Sequence, residues 1–165
     1  MKLIQIFLIL FMSKSGFGQD KYVGIYKDRF SESIELKIDS TFLHKTRFDL
    51  SSSWTMGKWK VKNDTIFLKT QLVMDTLVLG KSGPKQLKDS LVLSPDKFAN
   101  RIEFSDYAIS TISSGGQNRT KPPLKLYWKK NKLYRINRNG TLDLRKVKAI
   151  RNDKKYRTYF LKEIE

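Results

Sequence analysis

Between Gly57 and Lys62 the side chains change character at every step: Gly57, Trp59 and Val61 are small or apolar, and Lys58, Lys60 and Lys62 are charged. A helix turns about 100° per residue and would spread these lysines around its circumference. A strand sends successive side chains to opposite faces, so one face meets an apolar interior and the other meets water. The pattern recurs where Ile34, Leu36 and Ile38 alternate with Glu35 and Lys37. It recurs again where Phe42, His44, Thr46 and Phe48 alternate with Leu43, Lys45 and Arg47, and where Leu124, Leu126 and Trp128 alternate with Lys125, Tyr127 and Lys129.

Turn chemistry punctuates these runs at Asp39-Ser40, Asn63-Asp64, Gly80 to Pro84, Pro95-Asp96 and Asn131-Lys132. Asn139-Gly140 suits a tight hairpin because both residues tolerate φ > 0. Further short strands are expected over Thr65–Lys69, Thr76–Leu79, Ser90–Leu93, Arg101–Phe104, Leu133–Asn137, Thr141–Val147 and Tyr156–Leu161. No stretch of helical length carries a 3.6-residue apolar stripe, and no longer repeat recurs, which argues against propellers and solenoids. Residues 107–123, with Ser113-Ser114-Gly115-Gly116 and Pro122-Pro123, lack periodicity and are expected to form a mobile loop. The fold class that follows is all-β: an antiparallel up-and-down barrel, or a half-open one, of about 8–10 strands.

The first residues have a different grammar. Met1-Lys2 precedes the apolar run Leu3 to Met12, broken only by Gln5, and a polar stretch then ends in Gly16-Phe17-Gly18-Gln19. A charged start, an apolar centre and two small residues before a cut are the features of a secretory signal peptide. The ten residues of this run reach only about half of a ~30 Å hydrocarbon core, so a membrane anchor is disfavoured. The expectation is a signal peptide over 1–18, cleavage between Gly18 and Gln19, and a secreted or periplasmic domain over 19–165 with no transmembrane span.

No cysteine is present, so a disulfide scaffold, a Cys-ligated metal and a thiol nucleophile are excluded. The exported chain must therefore hold through its own core, which 39% apolar residues allow. Beyond residue 18 there are 31 basic and 16 acidic side chains, net +15. Residues 19–118 account for +3 and residues 119–165 for +12, so the hairpins over 124–165 are expected to be cationic. Such a field attracts polyanions over a screening length of about 8 Å, and export makes an envelope lipid or glycan a better partner than nucleic acid.

Gly24-x-Tyr26, the L-x-I-D-S-T-F run from Leu36 to Phe42, Gly57-x-Trp59 and Asp64-Thr65-Ile66-x-Leu68 occur in that order over residues 22–70. The set resembles small secreted lipocalin-like domain proteins of Gram-negative bacteria. That resemblance implies a calyx-like barrel of largely uncharacterised function, and it brings no catalytic residues with it.

Physically, Gly24 and Gly57 suit positions where a strand bends or another group lies across the backbone, and Tyr26, Phe42 and Trp59 are core candidates. With His44, the lone imidazole on the Phe42 face, they are also the candidate lining of an interior site for a small apolar ligand. Asp39, Asp64, Asp75 and Asp89 each precede Ser or Thr and read as turn formers. No nucleophile motif accompanies His44, and Gly115-Gly116 lacks the lysine and hydroxyl of a phosphate loop, so no catalytic residue, metal or cofactor is nominated. The candidate anion-binding residues are Lys125, Lys129, Arg135, Arg145, Lys148, Lys155 and Arg157, which interleave with Tyr127, Tyr134, Tyr156 and Tyr159.

The expectation is a monomeric, non-enzymatic binding protein. A carboxylate-based hydrolase and a purely structural envelope protein are the alternatives. Mass spectrometry of the exported protein should find a chain that begins at Gln19.

Overall fold

The computed structural model describes residues 18–82, 85, 86, 88–149 and 153–164. Apart from Gly18, the expected signal peptide lies outside the described residues, as does part of the turn expected at Gly80 to Pro84.

A 3-10 turn, Asp20–Tyr22, precedes β1 (Gly24–Lys27), β2 (Glu32–Leu36), β3 (Thr41–Phe48), β4 (Ser51–Lys62) and β5 (Thr65–Gln71). Next come β6 (Met74–Val78), β7 (Lys81–Ser82), β8 (Lys85–Gln86), β9 (Ser90–Leu93), β10 (Arg101–Glu103), α1 (Phe104–Ile112) and β11 (Gly115–Gln117). The last elements are β12 (Lys125–Lys129), β13 (Lys132–Arg135), β14 (Lys146–Lys148), β15 (Lys155–Arg157) and β16 (Phe160–Lys162).

Strands β1 to β5 form a meander, each antiparallel to the next. β5 then pairs with β12, β12 with β13, β13 with β16, and β16 returns to β1, all antiparallel. Eight strands therefore close into a barrel, as the alternation predicts, with full closure rather than a half-open wall. Closure pairs the backbone groups that an open sheet would leave on its two edges.

Two segments interrupt the up-and-down order. Between β5 and β12, β6 pairs with β9 and β10 in a small separate sheet, and β11 runs parallel to the first residues of β4. Between β13 and β16, β14 and β15 form a hairpin of their own.

Tight turns set the registers. Both Asn63-Asp64 and Lys130-Asn131 have φ between 49° and 58°, the paired positive values of a two-residue hairpin whose twist matches its strands. The second turn therefore sits one residue earlier than the expected Asn131-Lys132.

Four other expectations change. Residues 107–123 are not one loop, because α1 extends to Ile112 and β11 follows. The helix buries none of its residues, although Phe104, Tyr107, Ala108 and Ile112 share one face at i, i+3, i+4 and i+8, a stripe little more than two turns long, and Ser110 and Thr111 donate their hydroxyls back to the Tyr107 and Ala108 carbonyls. Thr141–Val147 is not a continuous strand, since only Leu142 bridges Ile136 before β14 begins. Tyr156–Leu161 is divided between β15 and β16, which belong to different sheets. Asp75 is no turn former: it lies buried within β6, where its Oδ1 accepts the Asn100 amide.

The barrel interior is a packed core of Tyr26, Ile34, Leu36, Phe42, Trp59, Ile66, Leu68, Leu126, Leu133 and Phe160, each at most 6% exposed. At one end the 3-10 turn lays Tyr22 edge-on against Trp128, with ring centroids 5.3 Å apart, and the Tyr26 hydroxyl donates to the Tyr22 carbonyl at 2.8 Å. Burial pushes the Tyr26 phenol up to about 12. Gly24, at φ 141°, lets the Lys162 side chain lie across this end, since a Cβ there would fall 2.6 Å from Lys162 Cε. Gly57 is held tighter still, because its Cβ would fall 2.1 Å from the Lys69 carbonyl oxygen of the neighbouring strand.

Phe160 is fully buried on the strand that closes the barrel. Phe160→Ala should therefore lower unfolding free energy by about 3–5 kcal/mol, measured by urea titration.

Candidate functional site

The four residues expected to line an interior site all lie inside the barrel. Tyr26, Phe42 and Trp59 belong to one core cluster and pack as filling, and Trp59 donates its indole N–H to the Lys37 carbonyl at 3.0 Å. His44 sits apart, fully buried in a polar group at the end of the barrel opposite Tyr22.

That group is built from three strands. His44 of β3 donates Nε2–H to Glu32 Oε1 of β2 at 2.7 Å, and Arg135 at the end of β13 binds Glu32 Oε2. Burial alone would raise the Glu32 carboxyl, but the His44 hydrogen bond and the Arg135 charge outweigh it and hold it below its ordinary 4.5. Beside it Asp28 is pushed up by burial, although its Oδ1 accepts the amides of Phe30 and Glu32. The Asn118 Oδ1 accepts from Thr55, and the Ser53 hydroxyl accepts the Thr120 amide, so residues 118–120 run over the inner side of β4 at this end. Both Glu32 oxygens are engaged, while His44 Nδ1 is buried without a partner among the described residues.

The expected anion-binding residues separate into four environments. Arg135 turns inward to Glu32 and also lies 4.9 Å over the Phe160 ring. Arg145 grips Asp143 through both Nε and a terminal nitrogen, and that hydrogen bonding holds the Asp143 carboxyl at about 2. Lys148 pairs with Asp153, and it shares the β14–β15 hairpin with Lys155 and Arg157. Only Lys125 and Lys129 stand on the outer barrel wall.

There they join lysines from the first half of the chain. The register sets Lys58 beside Lys69, places Lys60 and Lys125 on either side of Phe67, and puts Lys129 beside Lys132. Tyr127 faces Tyr134 directly, Tyr159 follows with its ring centroid 5.5 Å from that of Tyr134, and Lys132 Nζ lies 4.7 Å over the Tyr159 ring. Adjacent strands are about 4.8 Å apart, so these lysines and aromatic rings form one continuous face. No acid occupies the outer faces of β4, β5, β12 and β13, and Lys58, Lys60, Lys62, Lys69, Lys125 and Lys129 make no ion pair among the described residues. The alternation of Lys58, Lys60 and Lys62 was the sequence signal for this face; their placement one strand away from β12, across β5, was not.

Two clefts, of about 470 and 250 Å³, open outside the barrel against the segment that joins β5 to β12. Tyr26, His44 and Trp59 line neither, and Phe42 contributes to the larger. Among the described residues no helix is long and apolar enough to cross a membrane. No protein-family model, curated protein or solved structure matches the chain.

Because the folded Glu32 carboxyl is depressed, its hydrogen bond from His44 and its ion pair with Arg135 stabilise the fold fully above pH 4.5, and that contribution is lost as pH falls through the lower folded value. Glu32→Gln should cost about 3 kcal/mol at neutral pH, and urea titrations should show the penalty shrinking as pH drops below about 4.

Proposed function

We propose that this chain is an exported, lipocalin-like binding protein, not an enzyme, and that it engages an anionic lipid or glycan of the bacterial envelope through its outer wall. The observation that carries this reading is the row of unpaired lysines around Phe67, Tyr127 and Tyr134. Unpaired lysines gathered on one face create a local positive potential, which draws phosphate or carboxylate groups and displaces their counterions. Tyrosine adds an apolar ring with a polar tip, suited to a sugar or to the headgroup layer.

The filled interior supports a surface role, since the side chains that would surround a calyx ligand pack against one another. The leader-like start of the sequence supports export. Closure supports a monomer, since the eight barrel strands leave no edge among themselves to pair with a second copy.

The test is the triple variant Lys60→Glu/Lys125→Glu/Lys129→Glu. Its binding to vesicles containing phosphatidylglycerol and to an acidic polysaccharide should fall by more than about tenfold at ~0.15 M salt, with a shallower dependence on salt. Arg157→Glu, on the separate hairpin, should cost less. Equal binding by wild type and triple variant sinks the reading.

A further inference from the structure

The larger cleft lies on a different part of the outer surface. Its floor is the pair Leu43 and Met56, which sit opposite each other in β3 and β4 and point away from the barrel core. Its side walls are Leu72, Met74 and Phe98 from the segment beyond β5. An outward-facing apolar pair on a barrel wall is ordinarily either exposed or covered tightly by whatever crosses it. Here the crossing chain covers without filling. Leu43 is only 8% exposed, yet a space of about 470 Å³ remains, and Leu72 and Phe98 at its rim stay 45% and 72% exposed.

A specific contact fastens the crossing chain. Gln117 of β11 uses its side-chain amide like a strand backbone: Oε1 accepts the Val73 amide at 2.7 Å, and Nε2 donates to the Val73 and Ser94 carbonyls at 3.0 and 3.1 Å. Gln117 is itself in register against Trp54 of β4, so these bonds tie Val73, a lining residue of the cleft, to the barrel wall through β11. Two methionines, Met56 and Met74, give the lining a soft and adaptable surface.

Charge narrows the class of occupant. Lys37 and Lys97 contribute to the lining, and no Asp or Glu does so. Lys97 makes no ion pair among the described residues, and Lys37 makes a long one, with Glu35 Oε1 at 3.9 Å. A space of this size, mostly apolar with two lysines in its lining, has the composition of a small-molecule site. We propose that this cleft binds a small apolar molecule with one acidic head group, the hydrocarbon lying on Leu43 and Met56 and the head group meeting Lys37 and Lys97. The site shares no residue with the lysine wall, which it adjoins where Thr41 of its lining stands opposite Lys58.

The probe is anilinonaphthalene sulfonate, an apolar anion whose fluorescence rises on desolvation, with phenyl-naphthylamine as its uncharged counterpart. The exported protein should bind one anionic dye saturably. Lys37→Gln/Lys97→Glu should weaken that dye by about tenfold while leaving the uncharged one unchanged. Leu72→Glu and Phe98→Ser should weaken both, and Phe98→Trp should restore binding; all four positions are exposed enough to change without unfolding, which the thermal midpoint checks. Displacement by decanoate assigns alkyl acids and displacement by naphthoate assigns aryl acids, and either result supports the site. The proposal is overturned if the dye fails to saturate, if neither acid displaces it, if the lysine variants bind it as wild type does, or if the triple lysine-wall variant abolishes it. That last result would move the dye to the wall and leave the envelope reading untouched.

Discussion

Closure of the sheet on itself is the constraint that governs the rest of the molecule. β16 pairs with both β1 and β13, so strands from the two ends of the described chain complete the wall. Eight strands enclose a space that side chains can just fill, and here they fill it, with aromatic residues from β1, β3, β4 and β16 in one core cluster. Once the interior is occupied, the places left for other molecules are the outer wall and the seam where inserted segments cross it.

The two ends of the barrel are finished differently. At one end an aromatic pair and the methylenes of Lys162 shut the core. At the other a buried carboxylate is shared by a histidine and an arginine. The second solution is electrostatically exacting, because a carboxylate removed from water must have both oxygens engaged, and Glu32 does. Its consequence reaches the surface, since Arg135 serves the inside of the barrel and is withdrawn from the cationic exterior.

Much of the architecture was legible in the residues. Ile34, Leu36, Phe42, Trp59, Leu126 and Leu133 are core because each stands opposite a charged or polar neighbour one step along, and a strand can satisfy that pattern in only one orientation. Asn63-Asp64 marked its turn through chemistry local to two residues. α1 was harder to see: its apolar face of Phe104, Tyr107, Ala108 and Ile112 spans little more than two turns, and Ser105, Ser110 and Thr111 around it suit turns as readily as a helix. Asp75 was misread because Asp-Thr is as compatible with a strand as with a turn, and only the Asn100 amide arriving from elsewhere in the chain decides between them.

Charge shows the division most clearly. The sequence by itself determined that alternate side chains must face oil and water, that the product is a β wall, and that lysines stand on its wet side. It also carried a net +12 over residues 119–165. Only the tertiary structure decided which of those charges are free. It sent Arg135, Arg145 and Lys148 to carboxylates, and it brought Lys58, Lys60, Lys62 and Lys69 beside Lys125 and Lys129 by pairing β5 with β12 across a long insertion. The reason is physical: which face a side chain takes is set by its immediate neighbours, whereas the partner that neutralises a charge is set by which strands lie about 4.8 Å apart, and only closure of the barrel settles that.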